Sequence, residues 1–312
     1  MTAQTIPVLN LQAFKAGSDS RAHFVTALGE ALRDTGFFAV TQHGVNSELI
    51  RSAYQAAQAF FELPEVVKRK YERPELNGQR GFTRFGREHA KDHPVPDLKE
   101  FWHVGREDST VYPANLWPNE ISTFQVTLSE LYRQLEGCAQ ALLAACSLYL
   151  EESQNFLPAL AEEGNSILRI IHYPSIPPDA HPLSLRAAPH EDINLLTLLC
   201  EATEEGLELL QRDGSWLAIP ALPGQIIVDA GDMLQQLTNG LLKSTTHRVT
   251  NPTGLRERRF SMPFFIHPRP EVDLTPLPQC VAATGGQAKF PQITAGQYLE
   301  KRLREIGLAP QI

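Results

Sequence analysis

No long apolar run is present. In 312 residues nothing approaches the roughly 20 apolar residues a transmembrane helix needs, so no membrane partner is expected. Basic residues are also in deficit: 28 Lys and Arg stand against 36 Asp and Glu, a net charge of −8. Nucleic-acid surfaces draw on clustered positive charge, and no polybasic run occurs, so no nucleic-acid partner is expected. Cysteine is sparse. Cys138, Cys146, Cys200 and Cys280 form no CxxC pair and read as free thiols of a reducing cytoplasm. The opening "MTAQTIPVLN" lacks the basic and apolar regions of a secretory signal, which agrees with a cytoplasmic protein. Internal repeats and low-complexity tracts are missing too. What remains is a globular composition, 42% hydrophobic and 21% charged, with 23 prolines that suggest many loops and strand ends.

The first half reads as helical with short strands. Ile6–Leu11 is a candidate strand. Asp19 or Ser20 is placed to cap a helix carrying Phe24, Ala27, Leu28, Ala31 and Leu32, and Gly36 suits its end. Phe37–Gln42 reads as a strand. Asn46 caps a second helix with Leu49, Ile50, Tyr54, Ala57 and Phe61 on one side, closed by Pro64. Residues 74–117 show no clean period and read as a functional loop. A long helix then runs from Pro118 to about Glu152. From residue 166 short strands follow closely, with "RDGS" (Arg212–Ser215) as a hairpin turn, and Thr294–Leu308 forms a last helix. Strands after helices predict an α+β protein whose core is an antiparallel sandwich or barrel. No linker separates residues 1–117, the helical and strand region with the loop, from residues 118–312. One integrated catalytic unit is expected.

Chemistry concentrates in the strand-rich half. "PHEDINLLTLL" places His190 and Asp192 two apart at the start of a strand, where alternation puts both on one face. His247 follows 55 residues after Asp192, on a strand where Thr245, His247 and Val249 share a face. Two His and one carboxylate form the facial triad of non-haem Fe(II) oxygenases. Downstream, "RRFSMPFF" sets Arg259 and Ser261 on one face of an otherwise apolar strand. A buried Arg implies a partner anion, which an Arg fork and a hydroxyl would hold together. Arg258 is the rival cation but lies on the Phe260 face. In "LRIIHYP", Arg169, Ile171 and Tyr173 share a face. Tyr173 either donates to the same anion or serves as core. Arg169 either meets a carboxylate near the metal or forms a salt bridge inside the barrel.

With these motifs in view, the chain resembles the isopenicillin N synthase-like branch of the Fe(II)/2-oxoglutarate-dependent oxygenases, a double-stranded β-helix (jelly-roll) family. "GFFAVTQHGV", "DLKEFWHVG", "LRIIHYP", "PHEDINLLTLL", "STTHRV" and "RRFSMPFF" occur in the family's order over nearly the whole chain. The resemblance implies a jelly-roll core with an N-terminal helical flank and a C-terminal helix. It implies His190, Asp192 and His247 as Fe(II) ligands, and Arg259 and Ser261, assisted by Tyr173, as the clamp for 2-oxoglutarate. With O2, such an enzyme oxidises a small organic substrate by hydroxylation, desaturation or cyclisation, and releases succinate and CO2. Plant members often carry Asn and Tyr where this chain has Ile171 and His172, so contacts on that strand are expected to differ. Asp232 is expected to serve a turn. The loop offers Arg80, Arg84, Arg87, Phe101, Trp102 and His103: either its Arg residues bind an acidic group of the substrate and its aromatics stack on a ring, or most of the Arg are solvated and Phe101 and Trp102 are core; Phe264 is a further candidate for substrate or cosubstrate contact. Two alternatives accompany this reading: an Fe(II) oxidase of the same branch that needs no 2-oxoglutarate, and a jelly-roll binding module without catalysis. The pattern specifies neither an oligomeric state nor the substrate.

Overall fold

A computed structural model describes residues 5–91, 93–107, 109–176, 179–220, 222–251 and 258–310. The N-terminal strand β1 is Val8–Asn10. A helix over Ser18–Asp34 follows; its N-cap is Gly17 and no side chain caps it, so Asp19 and Ser20, expected as caps, lie two and three residues further on, inside the first turn. Gly36 ends this helix at φ 77°, and an added Cβ would lie 2.4 Å from Thr245 Oγ1 and 2.6 Å from the Lys243 carbonyl oxygen. Glycine is needed there for both conformation and space. Strand β2 is Phe37–Thr41. The Asn46 side chain accepts from the amides of Glu48 and Leu49 and starts the helix Ser47–Phe61.

Residues 74–117 are not one long loop. They hold β3, Gly81–Thr83, and β4, Glu100–Gly105. Every residue of β4 is buried, so the strand has no polar face and shows no alternation in sequence. The long helix spans Phe124–Tyr149 and begins six residues after Pro118. Its Leu128, Leu131, Leu135, Leu142 and Leu143 are fully buried against the outer face of the larger sheet.

The remaining strands are β5 Ile167–Tyr173, β6 Ala187–His190, β7 Leu196–Leu199, β8 Leu207–Leu210, β9 Trp216–Ala218, β10 Ile226–Ala230, β11 His247–Val249, β12 Arg259–Ser261 and β13 Pro263–Ile266. The larger sheet runs β1-β2-β10-β7-β13-β5-β4-β3, with β12 also on β5; the smaller runs β6-β11-β8-β9. Among the strands of the described residues, only β1 and β2 pair in parallel; the other pairings are antiparallel. The two sheets face each other across apolar clusters at either end. Phe37, Leu207, Leu209 and Ile227 fill one end, and Tyr173, Ile171, Ala187 and Val249 the other. This is a double-stranded β-helix, an α+β jelly-roll.

The C-terminal helix, Ala295–Glu305, starts with a capping box in which Thr294 and Gln297 satisfy each other's backbone. Asp232 anchors this helix, accepting from the Tyr298 hydroxyl at 2.8 Å, with Arg302 at 3.7 Å. The helix therefore closes over the space between the sheets. Among the described residues, no helix is long and apolar enough to cross a membrane.

Candidate metal centre and its cavity

His190 ends β6 and His247 begins β11, and they are direct partners across the antiparallel pair. Their ring centroids lie 4.5 Å apart. Asp192 is not on a strand, contrary to the alternation expected from the sequence. It sits in the turn between β6 and β7, where its carbonyl accepts from the Asp232 amide at 2.7 Å. The turn brings its Oδ1 to 3.9 Å from His190 Nε2 and 3.8 Å from His247 Nε2. One ligand atom from each of the three lies within 4.8 Å of the others.

Neighbouring groups fix the orientation of all three. His190 Nδ1 donates to the Ala188 carbonyl at 2.7 Å and His247 Nδ1 to the Thr245 carbonyl at 3.1 Å, which leaves each Nε2 lone pair facing inward. Burial, reinforced by His247, lowers the His190 pKa to about 4, so the imidazole is neutral and able to ligate. The Thr197 hydroxyl donates to Asp192 Oδ2, leaving Oδ1 for the centre. Asp229 lies on the same wall, and burial together with the Asp192 charge holds its carboxyl well above the ordinary range. A neutral-His, carboxylate donor set of this kind fits a divalent transition metal with open positions. Thr197→Val keeps the volume and removes the donor. It is expected to lower metal affinity about 10- to 100-fold, the cost of losing such a partner, measured by competition with a chelator.

Arg259 stands on the same cavity. β12 pairs with β5 so that Arg259 faces Tyr173 and Ser261 faces Ile171. The guanidinium is 2% exposed and lies 5.0 Å from the Tyr173 ring centroid. Nε donates to the Glu204 carbonyl at 3.1 Å, while Nη1 is buried without a hydrogen-bond partner. Ser261 is buried two residues along the same face. A buried, unpaired guanidinium nitrogen beside a hydroxyl fits an incoming carboxylate. Arg258 points the other way. It donates to His172 Nε2 at 3.0 Å and pairs with Glu62 at 3.2 Å, so it is no rival. The turn before Arg258 lies outside the described residues.

The other candidates divide. Arg169 lines the cavity, yet pairs with Glu88 at 3.0 Å and donates to His103 Nε2. The barrel salt bridge therefore occurs on the cavity wall itself. Phe101 lies beneath Arg169, 4.3 Å from ring centroid to guanidinium, and backs the wall. Three residues fall elsewhere. Trp102 follows Phe101 by one, so strand parity turns it to the outer face, against Phe60 at 4.8 Å. Phe264 is turned outward likewise and meets Tyr132 at 4.9 Å, while its neighbour Phe265 lines the cavity. Arg84 is 43% exposed and pairs with Glu72 at 3.0 Å. Arg80 is fully buried and spent on backbone carbonyls and Asn165, and Arg87 is exposed.

Sequence reasoning missed the acidic side of this loop. Glu88 and Lys99, both 6% exposed, pair at 2.7 Å on the cavity wall, and Lys99 also holds Asp97 at 2.8 Å. Burial pushes the Glu88 carboxyl up, but Arg169 and Lys99 overcome this and hold it below the usual carboxylate range. Asp97 Oδ1 accepts from the Ala188 amide at 3.0 Å and so ties the loop to the strand bearing His190. The "DLK" of the family-like segment was the available signal. Arg169→Met leaves this buried network short of a cation. It is expected to cost about 3 kcal/mol, seen as a lower melting temperature. An unchanged melt with a raised substrate KM would place Arg169 in binding instead.

Such a jelly-roll, with an inward His-Asp-His set and, in the same cavity, an arginine whose Nη1 lacks a partner, defines a class of mononuclear metal oxygenase. Comparison with known proteins identifies the family. The model for the non-haem dioxygenase in morphine synthesis N-terminal domain matches residues 6–120, and that of the 2OG-Fe(II) oxygenase superfamily matches residues 164–268. A 2-oxoglutarate-Fe(II) type oxidoreductase of Emericella nidulans is 31% identical, over 92% of this chain and 86% of its own. A solved 2OG-Fe(II) oxygenase family protein from Caulobacter crescentus is 37% identical, with TM-score 0.84, over 96% of this chain and 98% of that one. A Neurospora crassa protein, solved in complex with alpha-KG and thymine, is 25% identical with TM-score 0.86 over 96% of each chain. The chain belongs to the 2OG-Fe(II) oxygenase superfamily. It is an oxidoreductase, a dioxygenase that uses Fe(II), 2-oxoglutarate and O2 on a small organic substrate.

Proposed function

We propose that His190, Asp192 and His247 hold the Fe(II), and that Arg259 and Ser261, with Tyr173, receive the distal carboxylate of 2-oxoglutarate. The observation that carries this reading is the buried Arg259 Nη1, unpaired on the wall of the cavity that holds the triad. When bound, the iron supplies oxygen activation coupled to decarboxylation of 2-oxoglutarate to succinate and CO2. The chain's own residues do the positioning. The carbonyls of Ala188 and Thr245 orient the imidazoles, Thr197 orients Asp192, and Tyr173 packs the clamp. Leu199, Leu207, Ile171 and Val249 surround the site with apolar surface and exclude water.

The substrate side lies between residues 88–91 and 97–99 and the C-terminal helix, whose Leu299, Arg302 and Leu303 line the cavity. A cavity lined by both charged and apolar side chains between the sheets suits a small molecule rather than a nucleic acid. The Neurospora crassa protein, solved with thymine, supports this scale. Strands from before and after residue 117 pair within one sheet, which supports a single catalytic unit. The N-terminal match supports placement in the isopenicillin N synthase-like branch. Four buried free cysteines suit a reducing cytoplasm.

A screen of small polar compounds tests the reading by succinate formation and O2 uptake above the uncoupled background. Substrate oxidation that proceeds equally well without 2-oxoglutarate would overturn it.

A further inference from the structure

Glu88 Oε1 takes both of the residue's cations, Lys99 at 2.7 Å and Arg169 at 3.0 Å. Its second oxygen, Oε2, is buried and has no hydrogen-bond partner. The residue lines the same cavity as the triad and Arg259. A buried carboxylate oxygen without a donor is costly and is seldom left so without a use. The surrounding charges indicate what that use is. Glu88 and Asp97 are balanced by Lys99 and Arg169, all four buried or nearly so. An ammonium ion would unbalance the cluster, and a carboxylate would meet an oxygen that only accepts. A neutral donor satisfies Oε2 without adding charge.

A second unpartnered group lines the same cavity. His267 directly follows β13 and is 6% exposed, and its Nδ1 is buried without a partner. Burial lowers its pKa to about 4, so the ring is neutral and offers one donor and one acceptor. Arg169 lies close enough to both Glu88 and His267 for its charge to act on each.

We infer that Glu88 is a specificity-determining residue whose Oε2 accepts a hydrogen bond from a neutral amide-type N–H of the substrate, with His267 available to the adjoining carbonyl. This rests on the proposed centre, because the cavity is treated as the substrate side of that site. The class of substrate is a small, uncharged cyclic or secondary amide.

The test uses the full chain loaded with Mn(II) and saturated with 2-oxoglutarate, with affinities from calorimetry. Probes are thymine and 2-piperidone, their N-methylated counterparts, cyclohexanecarboxylate and cyclohexylammonium. The N–H compounds are expected to bind at least tenfold more tightly than the others. In Glu88→Gln the amide oxygen stays with Lys99 and Arg169 and the NH2 turns into the cavity, so the donor-for-acceptor exchange should weaken the N–H compounds at least tenfold. 2-Oxoglutarate affinity should stay within twofold. Equal binding of N–H and N-methyl members to the unmodified protein, tighter binding of either charged probe, or no binding of any N–H probe would overturn the inference, whether or not the variant folds. Failure of 2-oxoglutarate itself to bind would strike the proposed centre, and this inference with it.

Discussion

His190→Ala is expected to abolish 2-oxoglutarate-dependent turnover, with succinate and O2 uptake falling to the background of metal-free protein. The physical reason is the shape of the donor set. His190, Asp192 and His247 offer three inward atoms and no fourth His, Cys, Asp or Glu joins the group among the described residues. Loss of one leaves an incomplete face, with two inward donor atoms where the ion needs three. The fall in metal affinity should exceed the 10- to 100-fold attached to a mere orienting partner. Metal content by mass spectrometry reads the loss directly, and a melt matching that of the metal-free unmodified protein separates it from misfolding. Mn(II), Ni(II) or Zn(II) can replace iron in the binding measurement, since N/O sites of this type take several divalent ions. A variant that binds metal and turns over normally would remove His190 from the centre.

Arg259→Leu is the second large effect. A charge-assisted hydrogen bond is worth roughly 1.5–3 kcal/mol, or about 10- to 100-fold in affinity. 2-Oxoglutarate affinity should fall by at least that much while metal affinity changes little. The leucine fills apolar space between Tyr173, Leu199 and Leu207, so the fold should tolerate it. Unchanged 2-oxoglutarate affinity would refute the clamp and move attention to Arg169, since Arg258 is spent on His172 and Glu62.

The two variants probe residues that differ in how they could be read. Arg259 and Ser261 follow strand parity, and the structure places them on one buried face. His190 and Asp192 also converge, but through a turn and not through strand alternation, so the expected outcome was reached by a different route. Parity also disposes of Trp102 and Phe264. Each lies on the outer face because its neighbour lies on the inner one, but the sequence could not say which face was which. Both faces of β4 and β13 are largely buried, and a strand covered on both sides carries no polar mark of its inner side.

By itself the sequence determined the local elements and the chemical types. Asn46 and the Thr294 box cap their helices with their own side chains, only glycine fits the turn at Gly36, and the HxD, His and RxS spacings supply the donor types of the proposed centre. These depend on contacts a few residues apart or on the two-residue strand period, which a chain carries in its order. The tertiary structure alone decided that the loop presents Glu88 and Lys99 to the cavity instead of Arg80, Arg84 or Arg87. It also decided that Thr197 holds Asp192 and that Arg169 meets Glu88, 81 positions away. Those partners are set by the register of β4 on β5 and by how the loop packs on the C-terminal helix. Such long-range pairings form only when loop closure is repaid by burial of the whole core, and no local pattern records them.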